Sequence, residues 1–240
     1  MSAKKSLFWP SFFALLAFLL LLGLGTWQVQ RLGWKERLIA ARHAAVTAPP
    51  IPLPRSLEAA QGLEYRHVSA TGSFVNDREL FLGATDEDGH AGYHVITPLR
   101  LADGAVLLVD RGFIPEDRKA PVSRAEGELQ GTVTVTGLIR LAPAAKPAWF
   151  LPDNSVERNY WIWVDIPAMA KAARLDRVLP FYIDADATPN PGGLPIGGQT
   201  RLELPNNHLQ YAITWYVLAA ALAVIYILFI RRRRAEGGAS

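Results

Sequence analysis

The chain of 240 residues contains no cysteine. This absence excludes disulfides, thiolate catalysis, cysteine-ligated zinc, iron–sulfur clusters and covalent haem attachment through a Cys-x-x-Cys-His motif. Any bound metal or cofactor must therefore use histidine, methionine, carboxylate or carbonyl groups. The redox compartment stays open, because a chain without cysteine is compatible with either side of a membrane.

The common catalytic signatures are also missing. The sequence has no Gly-x-Ser-x-Gly elbow, no phosphate-binding Gly-Lys-Ser/Thr loop, no His-Glu-x-x-His motif and no dinucleotide fingerprint between a strand and a helix. A membrane-bound hydrolase would need a nucleophile and a base in one cluster, and the sequence offers none. These motifs therefore indicate no reaction class.

The charge balance gives no support to nucleic-acid binding. The two ends of the chain hold six of its 25 basic residues and one of its 22 acidic residues, a charge of +5 that leaves the remainder at −2. A phosphate-binding surface would instead need basic residues concentrated on the folded domain. No nucleic-acid partner is predicted.

Two long apolar stretches dominate what the sequence does contain. Residues Leu7 to Val29 and Leu209 to Ile230 carry no charge, and each exceeds the roughly 20 residues that a membrane-spanning helix needs. The first stretch is too long for the apolar region of a signal peptide, and no Ala-x-Ala cleavage site follows it. We therefore expect two retained spans in contact with membrane lipid.

The basic residues predict the orientation of these spans. Arg231 to Arg234 follow the second span directly, which marks the cytoplasmic side, and Lys4 and Lys5 before the first span agree. Both termini are then cytoplasmic and the central domain is periplasmic. A mitochondrial presequence would be Arg- and Ser-rich, whereas this membrane segment begins within six residues of Met1. The prediction is a multi-pass protein of the bacterial inner (plasma) membrane.

The pattern divides the chain into six segments. Leu32, Leu38 and Ile39 continue the first span at helical spacing, and the four prolines of Pro49 to Pro54 end that helix. The predicted segments are a cytoplasmic tail (1–6), a first transmembrane helix (7–29), a helical stalk (30–48), a periplasmic β-rich domain (49–208), a second transmembrane helix (209–230) and a basic cytoplasmic tail (231–240).

Short runs rich in β-branched and aromatic residues fill the central domain. The predicted strands are 65–75, 79–84, 93–101, 105–113, 132–141, 160–165, 178–185 and 201–204, with a short helix at 166–174. No helical pattern of ten residues separates the first five runs, so a parallel α/β sheet is not expected. The fold class is an integral membrane α+β protein, in which two transmembrane helices bracket an antiparallel β-sheet or small β-barrel domain with one short helix.

Two acidic clusters resemble metal sites but are better explained otherwise. Residues Asp86 to Gly89 lack the alternating oxygen spacing of a calcium loop and favour a hairpin turn. Asp184 and Asp186 would share one face of a strand, yet no third ligand is evident. The histidines other than His208 are interpreted as surface or hydrogen-bonded side chains.

His208 occupies a different position, at the start of the second span. At about 1.5 Å per residue, the intervals from Leu7 to Trp27 and from His208 to Phe229 each cover roughly 30 Å. Trp27 and His208 should therefore lie at the same outer membrane interface.

Aromatic and basic residues recur at helical spacing around this point. We call the following set the aromatic slot: Trp27, Gln28, Arg31 and Lys35 near the end of the first span, and His208, Tyr211 and Trp215 at the start of the second. Paired helices would form a site with an imidazole for axial ligation, aromatic walls for a macrocycle and cations for haem propionates. Tryptophan and tyrosine also belt membrane interfaces without any ligand, and Lys and Arg snorkel there. Both interpretations stay open on these features alone.

Several motifs resemble the Surfeit locus protein one family. Gly25 to Arg31 with Trp34-Lys35 resembles the end of that family's first span, and Asn207 to Tyr216 resembles the start of its second. Glu157 to Trp161 is also similar, although Ile162 stands where some relatives carry a polar residue or histidine. Internal motifs that match are 92–98, 109–115 and 195–200.

The resemblance implies an assembly factor for haem–copper cytochrome c oxidase that binds haem a and helps to place it in the catalytic subunit. It also implies that the protein is not itself an enzyme. His208 would be the axial ligand; the other residues of the aromatic slot inherit only proximity. The implied partners are the catalytic subunit of the oxidase and an upstream haem a synthase. The alternative is a scaffold that stabilises an oxidase assembly intermediate through its β domain and never contacts haem.

Overall fold

The computed structural model describes residues 7–86 and 88–238, and the chain folds into two compact units. One unit combines the chain up to Ala41 with the chain from Glu203 onward, and the other extends from Arg42 to Leu202. The predictions made for residues 1–6 with Lys4 and Lys5, for Glu87 and for residues 239–240 lie outside the described residues.

The first unit is built from two long helices. Helix α1 (Phe8–Thr47) has no break, so the helical pattern of residues 31–46 is confirmed as a continuation of the first apolar stretch. The second long helix, α4 (His208–Gly238), contains the second stretch. Both helices are long and apolar enough to cross a membrane, and both keep almost all of that apolar surface outside the protein interior.

The two long helices pack antiparallel. Gln28 contacts His208, and Ser11 near the start of α1 contacts Tyr226 far along α4. Small residues form the seam: Gly25 on α1 and Ala212 and Ala219 on α4 are buried. A side chain at Gly25 would begin 2.8 Å from the Tyr216 ring, so the close approach of the helices requires glycine there.

The second unit is a closed β-barrel with short additions. Its elements are β1 (Ile51–Pro52), α2 (Leu57–Ala60), β2 (His67–Phe74), β3 (Leu80–Thr85), β4 (Ala91–Leu101), β5 (Val106–Pro115), β6 (Thr132–Arg140), β7 (Tyr160–Trp161), α3 (Ile166–Ala172) and β8 (Val178–Ala185). Five strands close the ring in the order β2-β6-β8-β5-β4, and β4 pairs back to β2. The predicted small barrel is thereby confirmed.

Ring closure depends on one tight pairing. Gly72 of β2 lies opposite Leu101 of β4, and a Cβ at Gly72 would clash with the backbone carbonyl of Arg100. Four pairings in the ring are antiparallel, whereas β5 and β8 run parallel. This departs from the expected all-antiparallel sheet, because the long connection between β5 and β8 supplies the crossover that a parallel pair needs.

The barrel strands bury both of their faces near β5. Leu107 and Val109 point into one apolar core with residues of β2, β4, β6 and β8, while Leu108 joins a second core beneath α3. Helix α3 begins because the Asp165 carboxylate accepts the backbone N–H of Ala168, at 3.0 Å. Burial on both faces explains why β5 reads as a continuous apolar run.

Most strand boundaries differ from the predicted ones by one or two residues, and three elements differ in other ways. The strand expected over 160–165 ends at Trp161, since Asp165 serves as the cap of α3, and that helix ends at Ala172. The strand expected over 201–204 is not formed. The Leu202 carbonyl instead accepts a hydrogen bond from the Arg42 guanidinium at 3.4 Å, beside the chain's exit from the barrel.

Candidate functional site

The imidazole of His208 is held by a single partner across the helix pair. Its Nδ1–H donates to the Gln28 side-chain oxygen at 2.7 Å, and Gln28 is only 9% exposed. With the proton on Nδ1, the lone pair of Nε2 is left for a ligand. An imidazole that donates from Nδ1 in this way can offer Nε2 to a metal.

The other residues of the aromatic slot differ in the exposed fraction of their side chains. Trp27 and Tyr211 are each about half exposed, at 51% and 53%. Arg31 stacks its guanidinium on the Trp34 ring of its own helix, with 4.4 Å between the cation and the ring centre. The structure thus brings Gln28 to His208 and leaves Trp27, Arg31 and Tyr211 on the outer side of the pair.

Trp215 and Lys35 are both partly buried. The indole N–H of Trp215 is buried without an acceptor among the described residues. An unpaired donor is costly in an apolar environment, so a ligand that accepts from this N–H would gain stability.

The donor set of the aromatic slot fits an iron porphyrin. Haem iron accepts a single imidazole, and aromatic side chains and cations suit its ring and propionates. Among the described residues, the side chain of His208 pairs with the Gln28 amide and with neither a serine nor a carboxylate. The sequence placed Gln28 in the aromatic slot but did not identify it as the partner of His208, because helical periodicity says nothing about which residue of another helix lies opposite.

A second polar cluster, which sequence reasoning missed, lies on the barrel. His94 of β4 and the Asp110 carboxylate of β5 are 2.7 Å apart, and Asp110 also accepts the backbone N–H of Gly112. Asp184 lies beside Asp110 on β8 and accepts from Arg140 at 2.6 Å and from Thr200 at 2.8 Å. Because these residues come from five separate segments, only the polar residues inside the motifs 92–98, 109–115 and 195–200 could have signalled the cluster.

The surroundings of His94 and Asp184 in this cluster change the pKa values of both side chains. Burial alone would lower the pKa of His94, but the charge of Asp110 and the hydrogen bond to it outweigh burial and raise that pKa above its usual value. Burial and the nearby Asp110 charge raise the pKa of Asp184, and they outweigh the opposing effects of Arg140 and Thr200. The barrel therefore holds two neighbouring acids whose repulsion is balanced by His94 and Arg140.

The acidic residues that resemble metal ligands in the sequence accept hydrogen bonds within the fold instead. Asp186 lies beyond the end of β8 and accepts the Thr188 backbone N–H at 3.0 Å, so it does not act with Asp184. In the hairpin turn, Asp86 accepts the backbone N–H of His90 at 2.8 Å. Although Asp88 approaches this pair closely enough for a shared ion, the hydrogen bonds across the turn account for the arrangement.

These features define a class of protein in which two apolar helices bracket a five-stranded barrel and carry a histidine at their junction. The model of the SURF1 family matches residues 15–220. Surfeit locus protein 1 of Mus musculus is 42% identical over 226 residues, which cover 88% of this chain and 72% of the mouse protein.

Two further relatives match this chain with similar identity. Surfeit locus protein 1 of Homo sapiens is 40% identical over 220 residues, covering 85% of this chain and 72% of the human protein. The SURF1-like protein of Monosiga brevicollis is 42% identical over 225 residues, covering 88% and 83%. The chain belongs to the SURF1 family, and the resemblance found in its motifs is confirmed.

Proposed function

We propose that this protein binds haem a at the outer membrane interface and assists its insertion into the catalytic subunit of cytochrome c oxidase. The SURF1 family is known for the assembly of cytochrome oxidase rather than for catalysis, which supplies the broad process. The hydrogen bond between His208 and Gln28 is the observation that carries the more specific step.

The role of Gln28 is to fix the imidazole. By accepting from Nδ1–H, its amide oxygen selects the tautomer with a bare Nε2 and orients the ring. An amide polarises the imidazole less than a carboxylate does, so the nitrogen stays a moderate ligand. Moderate binding suits a carrier, because cargo that is held too tightly is not released.

The remaining slot residues have supporting roles in this proposal. Trp27 and Tyr211 would flank the porphyrin ring with their exposed aromatic faces, and Arg31 and Lys35 would pair with the propionates. The indole N–H of Trp215 would donate to a carbonyl or carboxylate oxygen of the cargo. Bound haem would supply an iron centre, for which the His208 imidazole would be the protein ligand.

The location follows from the two apolar helices. We propose that α1 and α4 cross a bacterial inner membrane with both termini in the cytoplasm and the barrel in the periplasm. The exposed Arg231 to Arg234 at the end of α4 support this orientation. An upstream haem a synthase in the same membrane would deliver its product laterally to the slot.

Haem content and oxidase assembly measured together test this function. The protein is co-expressed with a haem a synthase, purified in detergent and extracted, as wild type, His208→Ala and the matched control His43→Ala. We expect wild type and His43→Ala to carry haem a, and His208→Ala to lose most of it and to support less oxidase assembly in cells. Unchanged assembly by His208→Ala, or a wild type without haem when haem is plentiful, would favour the scaffold and overturn the carrier function.

A further inference from the structure

The barrel unit carries a turn whose composition is the opposite of an ordinary surface turn. Residues 147–152 read Pro-Ala-Trp-Phe-Leu-Pro, without any charge, and are called the aromatic tip here. The side chains of Trp149 and Phe150 are 90% and 70% exposed. Surface turns usually present glycine, asparagine, aspartate or serine, so two adjacent aromatic residues in water need a physical reason.

The aromatic tip is a formed turn rather than a random coil. The backbone N–H of Leu151 donates to the Ala148 carbonyl at 3.1 Å, which places Trp149 and Phe150 at the apex. Their rings meet edge to face with centres 5.9 Å apart. At the neck, Lys146 and Asp153 form an ion pair at 2.6 Å. The charges on either side of the tip thus neutralise each other and leave an uncharged apex.

The loop that carries the tip begins at a defined place on the barrel. It follows Arg140, whose guanidinium stacks on the Tyr65 ring, and Arg42 stacks on the same ring. Arg42 also donates to the carbonyl of Leu202. Arg42 and Leu202 are the two ends of the barrel unit, from which the chain continues into α1 and α4. The loop therefore starts where the chain enters and leaves the barrel.

We infer that the aromatic tip inserts into the headgroup and acyl boundary of the bilayer that α1 and α4 cross, as a third membrane contact of the chain. Tryptophan prefers this boundary, and phenylalanine and leucine prefer the adjacent acyl region. The uncharged apex offers a protein partner no charge complementarity. The two long helices tether the barrel to the membrane and so give the aromatic tip a high effective concentration near the lipid. A weak affinity of the tip for lipid is therefore sufficient for binding.

A single label tests this inference, since the chain has no cysteine of its own. An environment-sensitive fluorophore is attached to Ala148→Cys in the full chain reconstituted in nanodiscs. The matched control is Val122→Cys, on the barrel unit, where the Val122 side chain is 85% exposed and lies between Pro121 and Ser123 in the sequence. We expect a lipid-borne quencher to quench the label at 148 several-fold more than the label at 122, and aqueous iodide to quench it less.

Further variants separate the possible failures. Trp149→Ser with Phe150→Ser should reduce lipid quenching at 148 to the level at 122 without changing thermal unfolding, because both side chains are exposed. Equal quenching of 148 and 122 would overturn the inference, and so would protection of 148 from both quenchers, which indicates a covering protein. The inference rests on the proposed membrane location. A label at Val224→Cys, on α4, tests that location. If the lipid-borne quencher does not quench the label at 224, the membrane location itself is overturned. If it quenches the label at 224 but not the label at 148, only the membrane contact of the aromatic tip is overturned.

Discussion

In the barrel unit, side chains such as Val109, Ile139 and Phe181 are fully buried, whereas the long helices bury little more than Gly25, Gln28, Ala212 and Ala219. The barrel also buries charge: the side chains of Arg124 and Glu79 are 0% and 3% exposed and pair with each other. The helix pair buries small residues and one amide. Its large apolar side chains point outward instead.

The proposed membrane location explains this difference by two solvents. In water, burial of large apolar side chains drives folding and compensates for a few desolvated ion pairs. In lipid, apolar side chains gain nothing by leaving the solvent, so the helices associate through close packing at small residues and a few polar contacts. A polar contact such as that between His208 and Gln28 is then a large share of what aligns the helix pair.

The largest effect is expected in the barrel, at its buried ion pair. Arg124→Met leaves the Glu79 carboxylate buried without its cation and should destabilise the barrel by about 3–5 kcal/mol. The double variant with Glu79→Met should recover much of that loss. Urea unfolding followed by circular dichroism measures both. The exposed pair of Arg55 and Asp103 provides the control, because Arg55→Gln should change stability by less than about 1 kcal/mol.

In the helix pair, a smaller loss is expected from Gly25→Leu. The new side chain would meet the Tyr216 ring, so the helices should separate at a cost of about 1–3 kcal/mol. Spin labels on cysteines introduced at Val29 and Gln210 report the separation as a longer and broader distance. Gly23→Leu is the matched control, since nothing lies within 4 Å of the position of its Cβ. A distance that Gly25→Leu leaves unchanged would contradict the packing at this seam.

The smallest effect concerns pH and should appear in the barrel alone. The raised pKa of His94 means that its pairing with Asp110 stabilises the folded barrel fully below the unfolded value of 6.5 and loses that contribution as pH rises through the folded pKa. The raised pKa of Asp184 acts in the same direction, because its charged form is disfavoured in the fold. Melting temperature should therefore fall by a few degrees from pH 6 to pH 9, and less so in His94→Gln. A melting temperature that rises over this range would contradict the sign.

The sequence predicted the helices and strands, which depend on local residue patterns. It did not predict which strands pair or which residues of the two long helices lie opposite each other. Unbroken apolar runs predicted α1 and α4, and short runs of β-branched and aromatic residues predicted the barrel strands. The parallel pairing of β5 with β8 and the contact between Asp110 and Asp184 involve strands about 70 residues apart, which no local period reports. His208 stood out because it begins an apolar span. Its partner Gln28 is 180 residues away, and only the packing of the helices identifies it.

The central claim is that His208 offers Nε2 as an iron ligand, and chemical rescue tests it most directly. His208→Gly removes the imidazole and leaves room for free imidazole, while His43→Gly removes a histidine outside the aromatic slot. Absorption spectra of both variants are recorded in haem a with and without added imidazole. The account predicts that His208→Gly loses the wild-type spectrum and regains it with imidazole, whereas His43→Gly keeps it throughout. A wild-type spectrum from His208→Gly without imidazole would contradict the claim.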